Sequence, residues 1–79
     1  KTMKVDLSKF TDVRKFSAAA MRCPCDVILK SGTWRIDGKS LMGIFSLNLS
    51  NPVDVELDTD DDAVIKAFTD EINTLIVKD

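Results

Sequence analysis

The sequence has no histidine and no tyrosine, and its 79 residues include only two cysteines, two prolines and three glycines. Histidine is the side chain whose ordinary pKa lies nearest neutrality, so its absence removes the commonest general base and proton shuttle. It also removes the nitrogen ligand of mixed metal sites. Cys23 and Cys25, a single residue apart, cannot close a four-ligand zinc site by themselves. Two cysteines do not make a secreted disulfide framework, and neither has an evident activating base. Cys-Pro-Cys therefore reads as two small residues at a helix–strand junction, with a redox role as the alternative. No enzymatic activity, cofactor or metal is expected.

Long apolar runs are missing too. No stretch approaches the roughly 18 residues of a membrane span, and no leader-like apolar region opens the sequence. A cytoplasmic location without membrane contact is the expectation. The formal net charge is −2, which exerts no general pull on nucleic acid or anionic lipid. The acids gather late, in ELDTDDDA, while Lys9, Arg14, Lys15 and Arg22 make the early part basic. A run of mixed charge of this kind reads as a solvated helix face.

What is present is ordinary globular material, 44% hydrophobic and 30% charged, in a length that supports one domain over residues 1–79. MKVDL (3–7) alternates apolar and polar residues as a half-buried strand does. Ser8 or Thr11 can cap a helix to about Arg22, with Val13, Phe16 and Ala20 on its apolar stripe. Pro24 ends that helix, because a proline disfavours helical geometry in the residue before it. DVILK (26–30) and TWRID (33–37) read as strands joined through Ser31-Gly32. A short helix follows from Ser40 to about Leu47, then a strand VDVEL (53–57). The last helix spans roughly 61–76, its stripe formed by Val64, Ile65, Phe68, Ile72, Leu75 and Ile76. The order βαββαβα predicts an α+β open-faced sandwich.

Gly38-Lys39-Ser40 invites comparison with a phosphate-binding loop. That motif requires a glycine five positions earlier, where Thr33 stands, and TWRID is a strand rather than a flexible cradle. Ser40 instead suits a helix N-cap. Behind it, Leu41, Met42, Ile44, Phe45 and Leu47 are too many apolar residues for one side of a two-turn helix. With Ile44 and Leu47 turned to the core, Leu41, Met42 and Phe45 lie around another face. That face is either a partner-binding patch or the apolar surface that any small domain leaves exposed. Asp58, Asp60 and Asp62 have the first spacings of a calcium loop, but Ala63 and Thr69 occupy its required glycine and glutamate positions. The acids suit a helix start instead.

The stretch DVILKSGTWRIDGKSLMGIFSL (26–47) resembles the HPr family, the phosphocarriers of the bacterial sugar phosphotransferase system. Lys39, Ser40, Leu41, Met42, Gly43, Ile44, Phe45, Ser46 and Leu47 match, without a gap, the segment that opens the short second helix in that family. The resemblance implies an HPr-like fold, with the order βαββαβα and a four-stranded antiparallel sheet carrying three helices on one face. HPr proteins carry phosphate on a histidine at the start of the first helix. Here that segment falls near Lys9, Phe10, Thr11 and Asp12, with no histidine and no proline, and Arg14 is the nearest cation. The resemblance thus implies a non-catalytic member that cannot form phosphohistidine and has a regulatory or protein-binding role. Ser40 matches the serine that a regulatory kinase modifies in Gram-positive HPr, and Leu41, Met42 and Phe45 match its docking patch. The implied partners are components of the phosphotransferase system, an HPr-type kinase or a transcription regulator. The alternatives are a carrier using another acceptor, such as Asp12 or Cys23, and an HPr fold reused for unrelated binding.

Overall fold

The computed structural model describes residues 2–78. Four strands, β1 (Thr2–Val5), β2 (Val27–Ser31), β3 (Trp34–Asp37) and β4 (Val53–Leu57), form one sheet in the order β1-β4-β2-β3. Every neighbouring pair is antiparallel, and Leu29 lies opposite both Val55 and Ile36 while Met3 lies opposite Val55. Because side chains alternate along a strand, this register gathers Val5, Val27, Leu29, Val53, Val55 and Leu57 on one face, where all are buried. The opposite face carries the charges. Lys4 bonds Asp54 at 2.8 Å and Lys30 pairs with Glu56 across strands, a solvated surface rather than a second core.

Helices α1 (Phe10–Arg22), α2 (Leu41–Phe45) and α3 (Asp62–Glu71) complete an α+β fold in the expected βαββαβα order. Val13, Phe16, Ala19 and Ala20 recur at helical spacing along α1 and are buried. Phe16 meets Phe68 of α3 edge to face, with ring centroids 5.7 Å apart at 85°. That arrangement suits the opposed charges of ring face and edge.

Several boundaries differ from the expectation. Neither Ser8 nor Thr11 caps α1; the N-cap position is Lys9, whose side chain makes no cap bond. The Ser8 amide is instead taken by the Asp6 carboxylate at 2.9 Å, which holds the Asp6 carboxyl below its ordinary pKa. Strand β1 stops at Val5 rather than Leu7, because the Asp6 amide turns to the Leu75 carbonyl at 2.8 Å. Leu7 is buried all the same.

The β2–β3 turn is centred on Gly32-Thr33 rather than Ser31-Gly32. Ser31 stays in the ladder opposite Trp34, and Gly32 takes φ +59°, the left-handed geometry that a two-residue hairpin turn asks of its first position. Last, α3 ends at Glu71, followed by a 3-10 turn over Asn73–Leu75, so Ile76 is not helical. Ile76 pairs antiparallel with Val5, and the Val77 amide donates to the Lys4 carbonyl at 2.9 Å. The open edge of β1 presents unsatisfied backbone groups, and the chain leaves the helix to satisfy them. The end of α1 follows the expectation: Cys23, before Pro24, is extended at φ −74° and ψ 129°.

The Lys30 ammonium beside Glu56 holds the Glu56 carboxyl below its ordinary pKa. A carboxyl whose folded-state pKa is depressed stabilises the fold above its unfolded value of about 4.3. That contribution is lost as the pH falls through the depressed value. Glu56→Gln is expected to flatten the acid limb of stability while changing little at higher pH beyond the small worth of an exposed pair. Urea melts from neutral pH to about pH 2.5 will check this, and an unchanged acid limb would contradict it.

Candidate docking site

Ser40 is extended, at φ −97° and ψ 106°, and its Oγ accepts the Gly43 amide at 3.1 Å. Its carbonyl accepts the Ile44 amide at 3.0 Å. The expected serine cap of α2 is therefore present. At the other end the Ser46 hydroxyl donates to the Gly43 carbonyl at 2.6 Å. A helix of five residues cannot stand on its own hydrogen bonds, and packing supplies the rest. A Cβ on Gly43 would lie 2.8 Å from Cγ2 of Ile36 and 3.1 Å from Ser40 Oγ. Only glycine lets α2 sit this close to β3.

The same seating divides the apolar residues of α2. Ile44 is fully buried and Leu47 half-buried, whereas Leu41, Met42 and Phe45 are exposed, Met42 by 86%. Phe10, at the first position of α1 and 59% exposed, stacks on Phe45 with centroids 5.4 Å apart and planes at 14°. The segment near Lys9, Phe10, Thr11 and Asp12 is thus brought beside the face that carries Leu41, Met42 and Phe45. Phe10 extends that face, a role that sequence reasoning missed. Its signal was faint: it continues the Val13–Phe16–Ala20 stripe one step beyond the core. Lys9 and Thr11 are exposed and Asp12 half-buried.

The turn before Ser40 is tied on both sides. Asp37 accepts the Lys39 amide on its carboxylate at 2.9 Å and the Ser40 amide on its carbonyl at 3.0 Å. The Lys39 ammonium reaches away from Ser40 to the Cys23 carbonyl, at 3.0 Å, where a cation suits the C-terminal end of α1. Cys23, the alternative acceptor, is 6% exposed. In the acidic turn, Asp61 caps α3 by accepting the Ala63 and Val64 amides. Among the described residues no three His, Cys, Asp or Glu side chains converge as metal ligands, and no helix is long and apolar enough to cross a membrane. No protein-family model matches the chain, and no curated protein matches it either.

Two substitutions separate the supports of this site. Ser40→Ala should cost about 1 kcal/mol through the lost cap. Gly43→Ala should cost about 1–3 kcal/mol through overpacking, although alanine is the better helix former. Urea midpoints at unchanged slope will measure both, and a neutral or stabilising Gly43→Ala would refute the close packing of α2 on β3.

Proposed function

We propose that this chain is a non-catalytic HPr-like protein that binds a protein partner through Leu41, Met42, Phe45 and Phe10. The observation that carries the reading is the exposed apolar face of α2, continued across to α1 by the Phe10–Phe45 stack. Met and Phe on a surface supply adaptable apolar contact area of the kind partners bury. The matched segment Lys39–Leu47 and the βαββαβα order support the HPr-like assignment. The lack of histidine argues against carrier chemistry of that family's kind. The partners this reading favours are phosphotransferase-system components, an HPr-type kinase or a transcription regulator, met in the bacterial cytoplasm as part of the control of sugar transport.

Ser40 adds a regulatory version of the same reading. Transfer of the γ-phosphoryl group of ATP to Ser40 Oγ, with ADP leaving and the hydroxyl proton released, places about two negative charges against the apolar face. A partner that buries Met42 then loses affinity or is exchanged for one bearing arginine.

Calorimetric titration against purified phosphotransferase-system proteins and an HPr-type kinase tests the docking face. Met42→Ser with Phe45→Ser should weaken binding at least about tenfold, as loss of central apolar anchors does. Unchanged affinity would remove the face from the reading. Incubation with that kinase and ATP, followed by intact mass, tests the serine. A single added phosphoryl group that disappears in Ser40→Ala is expected, and a gain that persists in that variant would sink the switch.

A further inference from the structure

Apart from the α2 face, the sulfurs of Cys23 and Cys25 stand out, with Sγ atoms 3.4 Å apart and in hydrogen-bond contact. They are the two cysteines of the chain, and both are free. We propose that they form a dithiol–disulfide couple, closed by exchange with a low-molecular-weight disulfide such as glutathione disulfide, whose state reaches the start of α2 through Lys39.

The geometry favours closure within the chain. A disulfide needs the sulfurs at about 2.05 Å, and here they already face each other across a proline whose φ is fixed by its ring. Cys25 is half-buried and Cys23 nearly closed off, so the first attack falls to Cys25. Cys23 and Pro24 also line a groove of about 330 Å³ between α1 and α3, with Arg22 and Glu71 at its edge.

In the first step the Cys25 thiolate attacks one sulfur of glutathione disulfide, forming a mixed disulfide and expelling one glutathione thiolate. In the second, the Cys23 thiolate attacks Cys25 Sγ, forming the Cys23–Cys25 bond and expelling the other. The two protons given up by the protein thiols end on the two glutathione thiolates, so the pair is oxidised as one glutathione disulfide is reduced. Burial, together with the hydrogen bond shared with Cys23, pushes the Cys25 thiol above its ordinary pKa, which makes the exchange slow at neutral pH. A loop of one residue removes little entropy from the unfolded chain, so the bond does not act as a structural staple. Exposed disulfides belong to the labile class, and the half-buried Cys25 leaves this one open from one side.

The link to α2 is a single contact. The Cys23 carbonyl holds the Lys39 ammonium at 3.0 Å, and Lys39 precedes the Ser40 cap. Drawing Cys23 toward Cys25 turns that carbonyl and shifts the lysine that rests on it. This inference stands apart from the docking reading and can fail without it.

The test is incubation of the reduced protein with glutathione disulfide, followed by intact mass, thiol titration and amide NMR. The expected result is loss of two hydrogens, disappearance of both thiols, reversal by dithiothreitol, and displaced amide signals over residues 39–43. Cys25→Ser should abolish the mass loss and the displacement, and Lys39→Met should keep the mass loss but shrink the displacement at α2. A lasting glutathione adduct, a disulfide-linked dimer or no reaction would overturn the couple. A disulfide that forms without moving those amides would overturn its link to α2.

Discussion

Val5, Leu29, Val53 and Val55 project from the same side of a four-stranded antiparallel sheet, and the elements around them are arranged so that water is kept from that side. Helices α1 and α3 add Phe16 and Phe68 to the same core, where the two rings meet. The reverse side bears cross-strand ion pairs and needs no cover. Burial of this one face is what a small domain has to draw on, since so short a chain leaves a large share of its surface wet.

The exposed apolar face is a by-product of how α2 helps with that task. Ile44 is the one residue of the helix that is fully buried, and Gly43 lets the helix lie close against Ile36. A five-residue helix seated so tightly has no second core-facing side for Leu41, Met42 and Phe45. They stay outside, where Phe10 joins them. The surface is apolar, and no imidazole adjoins it.

Asp37, Lys39 and Ser40 set the entrance to that helix with backbone and side-chain bonds, and Lys39 ties it to the last carbonyl of α1's cap residue. The Cys-Pro-Cys corner and the helix cap therefore share one short chain of contacts.

The strands, the helices and the Ser40 cap were legible in the sequence because they rest on local rules: alternation in VDVEL, the stripe Val13–Phe16–Ala20, a hydroxyl ahead of an apolar run. Two of the misplaced boundaries were decided by competing backbone partners, one near in the sequence and one distant. Asp6 claims the Ser8 amide, and the edge of β1 draws Ile76 out of the helical pattern that its own spacing predicts. The absence of histidine was settled by composition alone, and with it the lack of an imidazole acceptor. What only the tertiary structure decided is which residues meet across elements: Phe10 on Phe45, Lys39 on the Cys23 carbonyl, Gly43 under Ile36. Local periodicity reports which face of an element is apolar, whereas these contacts depend on how separate elements are laid over one sheet.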